Sequence, residues 1–409
     1  MKRTTILQII PDLDTGGAER TTVEIAGAIV AAGGRAIVLS EGGRMEAELA
    51  ATGGELVRFP AATKNPAKLI ANAHAISRII DREGVDLVHA RSRAPAWSAL
   101  LAARRTGRRF VTTYHGAYNE EGRAKKLYNS VMARGELVIA NSHYTADLVA
   151  SRYGTPAARL RVIHRGVDGD IFDPDRVEAG RVAALRAAWG ISTDRRIILH
   201  AARLTNWKGQ RVVVEAARLL QQASPDLARN AVFVLAGDAQ GRDDYRTALE
   251  QQIAAASLGD RVRLVGHVAD IPAAFAASWL GVVASTEPEA FGRAATEAQI
   301  MRCPVIATDI GAPPETVMTA DRAGADHQTG WLVPPSDAPA LAAALAEALA
   351  LDGARHAEIG ERARRHVLAR FSLRAMRRRT LAVYDELLGT GLAQAFDDAS
   401  PASRKVPAG

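Results

Sequence analysis

The stretch Glu289-Ala290-Phe291-Gly292-Arg293-Ala294-Ala295-Thr296-Glu297 follows the apolar run Leu280 to Ala284, and its reading decides the rest. The run predicts a buried strand, and Arg293 to Arg302 predicts a helix. Glu289 then stands on the loop at the strand's C-terminal end, and Glu297 lies about one turn into the helix. Two acceptor groups flanking a glycine and a helix N-terminus suit a ligand with both hydroxyls and phosphates. Upstream, Arg203 and Lys208 follow a second apolar run, Ile197 to Ala202, and supply matching positive charge. Taken singly, each of these four is as readily a solvated surface charge. Taken together, at two strand-to-helix junctions, they point to a site for a nucleoside diphosphate sugar.

Working outward, the same strand-then-helix order repeats along the chain. In the first half, strands are expected near Thr5–Ile10, Arg35–Leu39, Asp86–Ala90, Arg109–Tyr114, Leu137–Ala140 and Leu160–His164. Amphipathic, Ala-rich segments lie between them, at Glu19–Ala31, Lys68–Arg82, Trp97–Arg105 and Ser142–Ser151. Short β-branched runs alternating with such helices predict parallel sheets covered on both faces, with ligands at the strands' C-terminal ends. The pattern pauses between Gly166 and Asp194, where Asp168, Gly169, Asp170, Pro174 and Asp175 read as a linker, and then restarts. The expected organisation is an N-terminal Rossmann-like domain over 1–175 and a second over 190–370. A helix over 371–390 and a polar, disordered tail over 392–409 follow.

The bulk properties allow this. The 409 residues suffice for two cores, and 48% hydrophobic with 24% charged residues is ordinary for a soluble globular chain. One cysteine, Cys303, excludes an internal disulfide and any multi-Cys zinc site, and its apolar neighbours make it a packed thiol. The apolar start ends at Pro11, too short for a secretory signal, so the expected location is cytoplasmic. The net charge of +7 has a focus at Arg104, Arg105, Arg108, Arg109, Arg123, Lys125 and Lys126. Such a patch suits an anionic membrane surface, the inner membrane face in this reading, as well as it suits plain solvation. With aromatic residues at 5% and no aromatic-basic interleaving, nucleic acid is not expected as a partner.

Further motifs fall at predicted crevice positions. Gly16 and Gly17, between the first strand and a helix, let backbone N–H groups approach a phosphate or sugar, or simply make a tight turn. The loop lacks the GxGxxG pattern, which argues against a nicotinamide enzyme. His115 follows the strand Phe110-Val111-Thr112-Thr113-Tyr114 and is placed either to donate to a sugar hydroxyl or to shape a turn. Arg203 would grip a diphosphate bidentately, with Lys208 as a point charge, stabilising a leaving group as it gains charge. The triplets Asp12-Leu13-Asp14 and Asp168-Gly169-Asp170 sit among turn residues, where Asp commonly bonds its own backbone. No metal is expected, since the two cations already neutralise a diphosphate.

In order along the chain, Gly16-Gly17-Ala18-Glu19, Tyr114-His115-Gly116, Arg203 with Lys208, Gly237-Asp238, and Glu289 through Glu297 resemble the retaining glycosyltransferases of family four. The segment Val305 to Glu315 and the pair Phe371-Ser372 continue the match, which spans about 4 to 390. The resemblance implies the GT-B fold, two Rossmann-like domains facing across a cleft, with the C-terminal helix crossing back to the N-terminal domain. It implies the acceptor on the first domain and a GDP- or UDP-sugar donor on the second. His115, Arg203, Lys208 and Glu289 take catalytic roles in that picture. Gly16, Gly17, Gly237, His267, Val268, Phe291, Gly292, Arg293 and Glu297 line the donor, with Glu297 on the ribose and His267-Val268 beside the base. Arg302 stands where the family usually has glycine, read here as a surface change of little consequence.

The expected activity is therefore transfer of a hexose, mannose or a related sugar, to a lipid-linked or oligosaccharide acceptor such as the lipopolysaccharide core. No cofactor is expected. Two alternatives are a sugar-nucleotide 2-epimerase, which would need acid and base groups at the sugar's C2, and a non-catalytic basic lipid- or RNA-binding protein on the same scaffold.

Overall fold

The structure is a computed structural model that describes residues 3–14, 16–63, 65–116, 118 and 122–399. The chain forms two compact units. One holds the chain up to Gly166 and again from Arg374 onward; the other is Val167–Leu373.

In the first unit the described residues form a seven-stranded parallel sheet. Its spatial order is Glu55–Arg58, Arg35–Ser40, Thr5–Ile9, Leu87–Ala90, Arg109–Tyr114, Leu137–Ala140 and Leu160–Val162. Thr5–Ile9 and Leu87–Ala90 are buried along their whole length because helices cover both faces. The order runs outward from Thr5–Ile9 in one direction and then from Leu87–Ala90 in the other. The loops after those two strands therefore diverge and leave a crevice between them. Gly17–Ala31 leaves Thr5–Ile9, and Arg93–Thr106 leaves Leu87–Ala90.

The second unit repeats the plan with six parallel strands in the order Val262–Gly266, Ala231–Ala236, Arg196–Ala201, Leu280–Val283, Val305–Thr308 and Gly330–Val333. Its reversal lies between Arg196–Ala201 and Leu280–Val283, whose register pairs Leu280 with Ile198 and Gly281 with Leu199. The amphipathic helix Gln210–Ala223 buries Val213, Val214, Ala217 and Leu220 on this sheet.

Two boundaries differ from the sequence reading. The stretch expected as a linker belongs to the second unit. Val167, Phe172, Trp189 and Ile191 are buried in its core, and Ala179–Ala188 is helical. Turn-forming Asp and Pro residues dominate that stretch by composition, but its few large apolar side chains decide the outcome by burial. The tail expected to be disordered over 392–409 begins with a helix, Leu392–Ala399, that buries Leu392, Ala393 and Phe396. Asp385 caps it, accepting from the N–H of Leu392 at 2.7 Å and of Ala393 at 2.8 Å. Arg374 and Arg378 both pair with Asp397 on that helix. The remainder, 400–409, lies outside the described residues. The preceding helix, Leu373–Leu388, buries Leu381, Val383 and Tyr384.

Candidate active site

The reversal in the second sheet brings two strand ends side by side, and each carries a predicted site loop. Arg203 to Lys208 leaves Arg196–Ala201, and Ser285 to Gly292 leaves Leu280–Val283. The Thr286 N–H donates to the Trp207 carbonyl at 2.8 Å, tying the loops together. Gly209 shows how close they come. It sits at φ +77°, and a Cβ there would lie 1.8 Å from the Ala284 carbonyl oxygen. Only glycine fits. Gly237 is constrained likewise, since a Cβ would meet the Ala202 carbonyl oxygen at 1.9 Å. Its loop is joined to Arg203's by the Leu204 N–H donating to Asp238 O at 3.0 Å, and to Gly266 by Gly237 N–H at 2.8 Å.

Lys208 Nζ donates to Glu289 Oε1 at 2.8 Å, with side-chain exposures of 17% and 10%. The Ser285 hydroxyl donates to the same carboxylate oxygen. The Lys208 ammonium also lies 4.2 Å from the centre of the Trp207 ring, which favours its charge. Glu289 is further fixed through its backbone, whose carbonyl accepts from Ala312 N–H at 2.9 Å. A carboxylate held by an ammonium and a hydroxyl is an orienting acceptor rather than a free nucleophile. Buried below, His200 donates its Nδ1–H to the Val282 carbonyl, 2.9 Å away, and burial pushes its pKa down to about 4. Arg203 is exposed, with a loose 3.5 Å contact to Gln240. It is available to an incoming anion.

Arg293 turns inward along its own helix and pairs with Glu297 at 2.9 Å, so these two expected donor contacts meet each other. Phe291 is a core residue, 3% exposed and edge-on to Phe371 at 6.0 Å; only its backbone faces the loop. His267 is exposed and Val268 buried, beside Gly266 at the end of Val262–Gly266. Arg302, read as a surface change of little consequence, is a partly exposed residue with two ion-pair partners. It ends the Arg293–Ile300 helix at φ +57°, and its guanidinium holds Asp175 at 2.6 Å and Glu361 at 2.6 Å.

The first unit gathers a second polar group at its own reversal. Gly16 and Gly17 follow Thr5–Ile9, Arg91 follows Leu87–Ala90, and His115 follows Arg109–Tyr114. The Arg165 guanidinium occupies the space over Gly17 and donates to His115 Nδ1 at 3.1 Å. A guanidinium only donates, so Nδ1 accepts and the neutral ring carries its proton on Nε2. Burial, and then the charges of Arg91 and Arg165, hold His115 well below the usual histidine pKa. Its buried Nε2 has no partner among the described residues. His115 thus presents a neutral N–H donor suited to a hydroxyl oxygen. Arg91 and Arg165 were missed in the sequence; Arg91's signal was its place directly after Leu87–Ala90, a strand bordering the crevice, whereas Arg165 follows the far edge strand Leu160–Val162 and carried no such signal.

Of the turn triplets, Asp168 caps its own turn, accepting from Asp170 N–H at 2.9 Å, whereas Asp14 accepts from Arg44 N–H at 3.1 Å and ties its loop to the one after Arg35–Ser40. In the basic patch, Arg109 pairs with Glu136 and Arg105 contacts His74. Among the described residues no helix is long and apolar enough to cross a membrane.

The family model described as Glycosyltransferase Family 4 matches residues 15–170, and Glycosyl transferases group 1 matches 182–366. D-inositol 3-phosphate glycosyltransferase 1 of Catenulispora acidiphila is 30% identical over 327 residues, covering 75% of this chain and 73% of that one. Among the curated relatives the aligned stretches span from 46% to 73% of their own lengths. The crystal structure of a glycosyltransferase from Rickettsia africae is 34% identical with a TM-score of 0.86, over 96% of this chain and 100% of that one. Anabaena Alr3699/HepE in complex with UDP and glucose shares the fold at 23% identity, with a TM-score of 0.78 over 94% and 100% of the two chains.

Proposed function

This chain belongs to the family-four glycosyltransferases, and we propose that it transfers a hexosyl group from a nucleoside diphosphate sugar to an acceptor hydroxyl with retention at the anomeric carbon. The observation that carries this is the Lys208–Glu289 pair at the sheet reversal, with exposed Arg203 on the same loop as Lys208. Lys208 keeps two further N–H donors for phosphate, and Arg203 adds a bidentate fork. Both gain strength as the diphosphate takes up charge on leaving. Glu289 accepts from sugar hydroxyls and Glu297 from the ribose, and Arg293 holds Glu297 in place. Gly237, His267 and Val268 border the base, and the Phe291-Gly292 backbone lies against the sugar and phosphate.

In the first unit, His115 with Gly16 and Gly17 offers a neutral N–H and backbone donors to a hydroxyl-bearing ligand. Among the described residues of the site, Glu289 is held by Lys208 and Ser285 rather than free as a nucleophile; as the family resemblance implies, the departing phosphate oxygen takes the acceptor's proton while the acceptor attacks the same face. The protein supplies orientation and electrostatic stabilisation. For the acceptor we favour a cell-envelope glycan such as the lipopolysaccharide core, reached through the basic patch at an anionic membrane surface. The names of the curated relatives favour a phosphorylated inositol instead.

Incubating the protein with UDP-, GDP- and ADP-hexoses and both acceptor classes, with product linkage read by NMR, tests the proposal. A product with the donor's anomeric configuration supports it. An inverted linkage, or a 2-epimerised sugar nucleotide formed without acceptor, would overturn it. Transfer only to inositol phosphate would discard the envelope acceptor.

A further inference from the structure

A buried polar chain in the first unit connects the helix Leu373–Leu388 to the His115 group. Tyr384 Oη lies 2.7 Å from His89 Nδ1, and His89 Nε2 lies 2.7 Å from Thr113 Oγ1. Arg91 reaches the same Thr113 oxygen at 3.4 Å. Tyr384, His89 and Arg91 are 0%, 0% and 3% exposed, so no solvent substitutes for these partners. Arg91, Thr113, His115 and Arg165 line one small cavity together with Asn141 and Thr380. Three polar side chains buried this deeply cost stability unless they are hydrogen-bonded, and each has at least one partner in this chain.

One end of the chain has a fixed direction. A guanidinium can only donate, so Thr113 Oγ1 accepts from Arg91. The threonine oxygen then either accepts a second time, from His89 Nε2–H, or gives its own proton to a bare Nε2, away from the Arg91 charge. In the second arrangement neutral His89 carries its proton on Nδ1 and donates it to Tyr384 Oη. Each donor polarises the next, and the whole chain is anchored on a residue of the returning helix. In that arrangement His89, on Leu87–Ala90, holds its proton on the opposite nitrogen from His115, which directly follows the neighbouring strand Arg109–Tyr114.

We propose that Tyr384 and His89 are positioning residues. Through a one-way hydrogen-bond chain running Arg91 to Thr113 to His89 to Tyr384, they fix the Arg91 guanidinium beside His115. This rests on the reading of His115 as a sugar contact only for its catalytic consequence. The chain itself is testable without any activity.

Two measurements on the full-length protein decide it. Histidine ¹⁵N NMR on wild type and Tyr384→Phe reads the tautomers, with His89→Gln used to assign the signal. Protonated Nδ1 with bare Nε2 at His89 is expected in wild type, and loss of that tautomer in Tyr384→Phe. Protonated Nε2 at His89 in wild type would overturn the chain. Steady-state transfer kinetics then read the consequence. Tyr384→Phe should lower kcat about tenfold, the effect of roughly one misplaced hydrogen bond, with the KM for the nucleotide sugar unchanged. His89→Gln, which offers both a donor and an acceptor, should restore more of kcat than His89→Leu. Equal kcat in wild type and Tyr384→Phe would overturn the positioning role. A wild type that transfers nothing would instead count against the proposed function, leaving the tautomer result to judge the chain.

Discussion

At the scale of single residues, the Lys208–Glu289 pair has two separable jobs. With side-chain exposures of 17% and 10%, it is sheltered enough that removing one partner strands the other. Lys208→Ala should lower stability by about 1–3 kcal/mol by chemical denaturation and reduce kcat/KM by about a hundredfold or more. Glu289→Gln, which keeps a hydrogen-bond acceptor without the charge, should cost less stability while still impairing turnover. His115 makes a different prediction. Because burial and two arginines keep it neutral, the pH–rate profile should show no histidine inflection between pH 6 and 8. His115→Gln, which retains an N–H donor, should outperform His115→Ala. An inflection near 6.5 that vanishes in His115→Gln would mean that the imidazole titrates during turnover.

At the scale of elements, the end of the Arg293–Ile300 helix balances strain against charge. Arg302 at φ +57° costs roughly 1 kcal/mol relative to glycine, while its solvent-screened pairs with Asp175 and Glu361 offset part of that. Arg302→Gly should therefore leave the unfolding free energy within about 1 kcal/mol of wild type, and Arg302→Ala, which keeps the strain and loses the pairs, should fall below both. The short helix Leu392–Ala399 depends on its cap. Asp385→Ala should speed amide exchange across 392–399 and leave the central strands of the first sheet protected, as hydrogen–deuterium exchange would show. The element reading explains what the sequence revealed. Long amphipathic helices and fully buried strands such as Leu137–Ala140 announce themselves by pattern. The edge strand Glu55–Arg58 was missed because only two apolar residues stand between its charged ends, without the continuous apolar run of Leu137–Ala140. The helix Leu392–Ala399 was hidden by averaging its three buried apolar residues with a polar stretch that follows. Of the site, the loop residues were legible because spacing places Arg203, Lys208 and Glu289 at strand ends. Their mutual pairing was not, since 81 residues separate Lys208 from Glu289. Nor were Arg91 and Arg165, whose role depends on which strands become neighbours.

At the scale of the whole molecule, buried neutral histidines make stability depend on pH. His89, His115, His200 and His366 all have pKa values lowered by burial, His200 and His366 to about 4. The unfolded chain binds these protons near 6.5 and the folded one does not, so the contribution is fully present above 6.5 and is lost as pH falls toward 4. For His200, 2% exposed, the loss is on the order of 3 kcal/mol. Urea unfolding at steps between pH 7.5 and 4.5 should show falling stability, with a slope shallower by about one proton in His200→Gln; equal slopes would remove His200 from the account. Repeating one sheet plan twice gives each unit a crevice at its own reversal, cationic in the second unit and a neutral donor between arginines in the first. The claim on which the functional account stands is that the second unit's reversal binds a nucleotide sugar. Calorimetric titration of UDP-, GDP- and ADP-sugars into wild type, Arg203→Ala and Lys208→Ala tests it most directly. The account predicts saturable binding of one base class by wild type, weakened at least tenfold in each variant. Wild-type binding undiminished in both variants, or none with any donor, would contradict it.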